Sequence, residues 1–184
     1  LPGGRILGCD LRSWGDVKKT HGKTAERRGG AKLAKEVLRM ATPADAKALA
    51  ELRWEFRASV GAAVEDRAKF LKRCVAWMRK RLCNDEAWRC WVAADSSGLQ
   101  GSLWLQVIEK LPNPVAEVEV HGYITSFYVR PGARGRRLGS RLLNKALAFC
   151  RSLPVHAVIL WPTPESRTLY ERRGFAEPDD LMEL

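Results

Sequence analysis

The run "FYVRPGARGRRLGSRLL", Phe127 to Leu143, passes from a strand pattern to a helix pattern through a basic turn. From Arg130 onward it holds five arginines and three glycines. The strand ends at Val129, Pro131 removes a pairing donor, and Gly132 and Gly135 let the backbone turn tightly. The helix that follows begins with backbone N–H groups that no carbonyl of its own can satisfy. Its first turn contains no acidic residue to offset them. A turn of this kind forms an anion nest, and neighbouring guanidinium groups can neutralise a diphosphate held there. No Gly-Lys-Ser/Thr follows the glycines, and the spacing is not G-x-G-x-x-G, so neither a P-loop nor a dinucleotide fingerprint is present. Spacing alone leaves two readings, a diphosphate site and an exposed basic loop.

Downstream of the turn, Leu138, Leu142, Ala146 and Phe149 recur at helical spacing. "HAVILWP" (156–162) is nearly all apolar and predicts a buried strand. A strand, a helix and a second strand in succession require a parallel pair with a right-handed crossover. "TPESRTLYERRG" (163–174) predicts a short helix with Thr163 as cap, Pro164 at its first position and Gly174 as terminator. "GFAEP" (174–178) and "LMEL" (181–184) are candidates for two last short strands. Upstream, "VLRMA" (37–41) reads as a strand. "TPADAKALAELRWEF" (42–56) reads as a helix capped by Thr42, ended by Gly61, and a second helix covers Val64–Leu82. "WRCWVAA" (88–94) and "GSLWLQVIEK" (101–110) flank the turn sequence "DSSG" and make an antiparallel hairpin. After "LPNPVAE" (111–117) comes the strand that ends at Val129. The expected fold is one mixed α/β (α+β) domain over residues 37–184, ordered β-α-α-β-β-β-α-β-α-β(-β).

At 184 residues, with 46% apolar residues and seven Trp, the chain can bury a core and is not composed like a disordered one. Its net charge of +11 calls for anionic partners. Residues 1–36 carry nine Lys/Arg against four Asp/Glu, and so hold +5 of that charge without any sustained period. They read as a flexible basic leader, a fragment end or an appended segment, since the chain starts at Leu1. Five cysteines at positions 9, 74, 83, 90 and 150 show no metal-ligand spacing, so no metal is expected. No apolar run reaches the roughly 18 residues of a membrane span. A cytoplasmic protein with reduced thiols is the expectation.

The turn and a second segment resemble the GNAT N-acetyltransferase superfamily. The family's acetyl-CoA loop, V-x-P-x-x-R/Q-x-x-G-x-G/A, is met by Val129, Pro131, Arg134 and Gly139, with Arg137 where its first glycine usually stands. "LYERRGF" (169–175) is similar to the family's C-terminal segment, whose helical tyrosine is matched by Tyr170. Thr163 stands where the family often has Asn. The resemblance covers everything except the leader. It implies a mixed central sheet with splayed fourth and fifth strands, flanking helices and acetyl-CoA as cosubstrate. Pantetheine would follow Phe127, Tyr128 and Val129, and the diphosphate would sit on Arg134, Gly135, Arg136, Arg137, Leu138, Gly139 and Ser140, with Thr163 nearby.

The activity so implied is direct acetyl transfer to a primary amine of a small molecule or peptide, with Tyr170 protonating the departing thiolate. An ammonium of pKa near 10 is only about 0.1% neutral at pH 7, a handicap of about 4 kcal/mol, so a base is needed. The glutamate that the family often carries on its fourth strand is replaced here by Tyr123 and Thr125. Glu119, which by strict alternation shares a face with Glu117, His121, Tyr123 and Thr125, is the expected base or anchor. His121 is a candidate proton shuttle. The acceptor would meet Trp54, Glu55, Phe56 and Arg57 and the "LPNPVAEVE" loop. A non-catalytic CoA sensor of the same fold and an acetyltransferase for an RNA-linked amine are the alternatives. Nucleic acid is the lesser expectation as a partner, no membrane is expected, and a homodimer is left open.

Overall fold

The computed structural model describes residues 36–178. The expected leader, apart from Glu36, and the expected strand at 181–184 lie outside the described residues.

Among the described residues five strands form one mixed sheet in the order β1-β2-β3-β4-β5. These are β1 (Val37–Met40), β2 (Trp88–Asp95), β3 (Gly98–Glu109), β4 (Val120–Val129) and β5 (Ala157–Leu160). The first three pairings are antiparallel, and β4–β5 is parallel. Between β1 and β2 lie α1 (Ala46–Ser59) and α2 (Arg67–Asn84); α3 (Leu138–Ser152) makes the crossover from β4 to β5; α4 (Arg167–Glu171) follows β5. The α/β order expected from the sequence is present. The segment 175–178 is the exception: it forms no strand, and Phe175 instead packs its ring on Tyr170 at 5.8 Å.

Helix boundaries follow their caps. Thr42 and Asp45 form a reciprocal capping box around a 3-10 turn at Pro43–Asp45, with Thr42 N–H donating to Asp45 Oδ2 at 2.8 Å. The second helix starts three residues later than its apolar spacing suggests. Asp66 accepts a hydrogen bond from Lys69 N–H at 2.9 Å and so fixes the start.

Each sheet face has its own core. One face packs Trp91, Leu103, Leu105 and Ile124 under Leu142, Leu143, Ala146 and Leu147 of α3. The other packs Val92, Trp104 and Tyr128 under Leu49 and Leu52 of α1 and Met78 of α2. Leu103, Leu105, Leu142 and Leu143 are wholly buried. Each contributes about 2 kcal/mol by leaving water.

Strict alternation fails on β4. Ser102 pairs with Tyr128 and Trp104 with Thr125, so two steps along β3 face three along β4. The extra residue is a bulge, and Ser126 takes a left-handed backbone there with φ 47°. Ile124 before the bulge and Phe127 after it therefore both pack on the α3 side, while Tyr128 turns to the α1 side. Beyond the bulge β3 and β4 approach closely. A Cβ on Gly101 would sit 2.8 Å from the Tyr128 carbonyl oxygen, a distance only glycine avoids.

β5 pairs with His121 to Ile124 and stops, whereas β4 continues from Thr125 to Val129. The sheet is open along that stretch, which is where the fourth and fifth strands were expected to part.

Candidate active site

The open edge presents particular backbone groups. Lys110 N–H donates to the Glu119 carbonyl at 2.7 Å and Arg130 N–H to the Gln100 carbonyl at 2.9 Å, which fixes the parity of the β3–β4 ladder on either side of the bulge. By that parity Tyr128 bonds toward β3, while the backbone groups of Phe127 and Val129 face the side that β5 has left. Arg134 Nε already donates to the Val129 carbonyl at 3.1 Å, which ties the loop to the strand end.

The strand runs into a 3-10 turn at Pro131–Ala133 and then into α3. Arg137 is the N-cap of α3, offers no side-chain cap, and has a left-handed backbone with φ 58°. This is the position at which the resembled loop has glycine. An arginine is accommodated because its side chain is exposed, at the cost of a conformation that favours glycine. Gly135 is left-handed too, with φ 79°. Arg141 N–H closes the first helical bond to the Arg137 carbonyl at 3.0 Å. Among the described residues no acceptor takes the amides of Leu138, Gly139 and Ser140 that precede it.

These donors fit a diphosphate. Three helix amides without an acceptor stand at the start of α3, and Arg134, Arg136 and Arg137 are exposed beside them. Glu36, an acid the sequence reading did not connect with this loop, lies 3.1 Å from Arg141 and 3.5 Å from Arg136. One hundred residues separate it from Arg136, so no local pattern could have revealed it.

Tyr170 is brought to the same place from α4. Its ring meets Phe127 edge-on at 6.2 Å, and only 7% of the residue is exposed. Burial pushes its hydroxyl pKa up to about 12, and a hydrogen bond with Ser166 draws it partly back. The hydroxyl therefore stays protonated throughout the neutral range and can donate. Thr163 caps the turn before α4, its N–H donating to Ser166 Oγ at 2.9 Å. Thr163 thus positions the serine that meets Tyr170. Gly139 closes the group, since a Cβ there would lie 3.5 Å from the Phe127 ring.

Glu119 is not brought to Tyr170. It precedes β4, and its Oε1 accepts from the Asn113 N–H at 2.9 Å. Phe127 is eight residues further along the extended chain, about 25 Å away at strand rise. Glu117 is held by Lys110 and Asn113 in the same loop. His121 stacks on His156 at 5.4 Å, and its Nε2 is buried without a partner. Burial first, then His156, lower its pKa below the ordinary histidine value.

On the α1 side of the opening, Phe56 stacks on Tyr128 at 5.5 Å and Tyr123 meets Trp161 edge-on at 5.0 Å. Arg53 lies over the Phe56 ring at 5.7 Å. Both carboxylates of α1 are engaged elsewhere: Glu51 by Arg67, and Glu55 by Arg130 through two bonds of 2.6 and 2.9 Å. Among the described residues no group of His, Cys, Asp and Glu is arranged to hold a metal ion, and no helix is long and apolar enough to cross a membrane.

A bulged, half-open sheet edge that leads into an uncapped helix is the arrangement that the resemblance to the acetyltransferases implies. A sequence model of the acetyltransferase (GNAT) family matches residues 46–175. The chain belongs to the GNAT acetyltransferase family, and acetyl-CoA is its cosubstrate. Among solved structures it is similar to a predicted acetyltransferase from Clostridium acetobutylicum crystallised with acetyl-CoA. That match has 21% identity, a TM-score of 0.68, and covers 82% of this chain and 96% of the other. It is also similar to an acetyltransferase from Trypanosoma brucei, with 25% identity, a TM-score of 0.62, and coverage of 82% and 99%. Glucosamine-6-phosphate N-acetyltransferase from Arabidopsis thaliana shares the fold at 18% identity and a TM-score of 0.61, over 82% and 97% of the two chains. No curated protein sequence matches the chain.

Proposed function

We propose that this acetyltransferase is an N-acetyltransferase that passes the acetyl group directly to the primary amine of a small molecule or peptide in the cytoplasm. The observation that carries the reading is the packing of the Tyr170 ring on Phe127, at the strand opening that leads into the free amides of α3, with burial keeping its hydroxyl protonated. Acetyl-CoA supplies an activated thioester. The protein's part is to hold, orient and protonate. The amides of Leu138, Gly139 and Ser140, with Arg134, Arg136 and Arg137, grip the diphosphate; Gly135 allows the turn. Backbone groups of Phe127 and Val129 align the pantetheine arm along the open edge, with Tyr128 locking the strand from the other face. Tyr170 Oη donates its proton to the departing sulfur, and Ser166, set by Thr163, orients that hydroxyl. Glu119, remote from the opening along β4, serves this reading only as a distant anchor; the amine proton leaves through water at the mouth. Calorimetric titration with acetyl-CoA, followed by a thiol-release assay over an amine panel, tests the reading. Binding without turnover of any amine would overturn it.

A second reading, a CoA sensor of the same fold, is favoured by one feature. Both acids of α1, Glu51 and Glu55, are tied to arginines and are not free to act as base. Turnover abolished by Tyr170→Phe would exclude it.

A further inference from the structure

Among the described residues, two arginines on α1 have no carboxylate partner. Arg53 and Arg57 lie one helical turn apart, both are partly buried, and among the described residues neither side chain makes a hydrogen bond or an ion pair. The acids of the same helix cannot serve them, because Glu51 is taken by Arg67 and Glu55 by Arg130. Arg53 rests on Phe56, which offsets its charge only in part. Burial first, and then the like charge of Arg57, disfavour its protonated form; the Cys74 thiol and Tyr123 hydroxyl within its electrostatic reach are weak compensation. A guanidinium removed from water without an anion is costly, and such a group is retained where an anion arrives with a ligand.

Its surroundings are those of the acceptor side. Tyr123 stands on β4 three residues before the bulge, and its ring meets Trp161, just past the end of β5 and 55% exposed. Tyr123 thus joins the exposed Trp161 ring to the surroundings of Arg53. Positions 123 and 125 hold no acid here, so nothing on this stretch of β4 repels an anion.

We propose that the acceptor amine carries an oxyanion, a carboxylate or a phosphate, which Arg53 binds with Arg57 in support while Tyr123 and Trp161 flank the molecule. This names the substrate class of the same site and rests on the N-acetyltransferase reading. The chemistry also suits Arg more than Lys, since a planar fork can hold either oxyanion through two parallel bonds.

The experiment measures KM for matched acceptors: an amino acid against its carboxamide, and an amino-sugar phosphate against the free amino sugar. The expected result is a KM at least ten-fold lower for the anionic member of one pair; which pair responds identifies the anion. In Arg53→Gln that ratio falls toward one, and in Arg53→Lys part of it returns, a pattern that a misfolded variant would not produce. Equal KM values within both pairs, or a ratio unchanged in Arg53→Gln, would overturn the inference and leave the N-acetyltransferase reading intact. Where no amine is turned over at all, that reading fails and titration of inorganic phosphate and of acetate into CoA-loaded protein decides this one. Wild type binding one of the two anions while Arg53→Gln does not supports it; identical titrations in both proteins overturn it.

Discussion

Glu36 and Arg141 meet across the edge of the cofactor loop, Oε2 to Nη1, at 3.1 Å. The pair joins the residue before β1 to the second turn of α3 and sets a negative charge beside the arginines proposed to bind diphosphate. As a surface pair it contributes only about 0–1 kcal/mol to stability. On the proposed reading its larger effect is on the ligand, with which it competes for Arg136. Glu36→Gln is expected to tighten acetyl-CoA binding by about two- to five-fold at low ionic strength. The gain should vanish in ~1 M salt, where screening acts over about 3 Å. Calorimetry at two salt concentrations checks it, and weaker binding in the variant would refute it.

Arg137 occupies a backbone conformation that suits glycine, with φ 58°. Arg137→Gly removes about 1 kcal/mol of backbone strain, partly offset by the entropy of the unfolded chain. The expected rise in Tm is about 2 °C for a chain of this size. Acetyl-CoA affinity should fall by no more than a few-fold, because the amides do the positioning and one arginine of several is lost. Differential scanning calorimetry reads the first effect. A lower Tm would mean that the arginine side chain makes a contribution its exposure does not suggest.

Tyr170→Phe keeps the ring against Phe127 and Phe175 and removes only the hydroxyl with its Ser166 contact. The expected loss in kcat is about 10²-fold, within the range for a positioned general acid, with the KM for acetyl-CoA nearly unchanged. Because burial raises the tyrosine pKa to about 12, wild type should show no alkaline limb from this group below pH 10. An unchanged kcat in the variant would remove Tyr170 from the chemistry.

The sequence was most informative where a local pattern decides structure. The capping residues Thr42 and Thr163, the apolar stripe of α3 and the glycine-proline turn after Val129 all act within a few residues, and each element lies where they place it. What was missed depends on distant partners. The β4 bulge arises from how β3 and β4 fit together, and nothing in "YITSFYV" announces that Ser126 turns left-handed. The choice of Glu119 rested on alternation, which gives the face of a residue and not its distance from the opening. Glu36 at the loop and Arg130 on Glu55 are contacts across 75 residues or more, and spacing rules do not reach that far. Phe175 illustrates the reverse case, a β-like segment claimed by an aromatic contact with Tyr170 instead of by a strand.

His121, stacked on His156 at the base of β4 and β5, makes stability depend on pH. His121 has a folded-state pKa below its ordinary 6.5, owing first to burial, then to the charges of His156 and Lys110, with Glu117 opposing them. The unfolded chain therefore binds a proton more readily between the folded value and 6.5, so stability rises with pH through that window and is lost as pH falls below 6.5. Thermal unfolding followed from pH 7.5 to 5 should show Tm falling on the acid side. In His121→Gln the fall should be shallower, because the variant has no proton to gain at that position. A steeper or identical slope in the variant would place the acid sensitivity elsewhere, with the carboxylates Asp45 and Asp85, whose pKa values are lowered by Arg39 and Arg81, as the groups to examine at still lower pH.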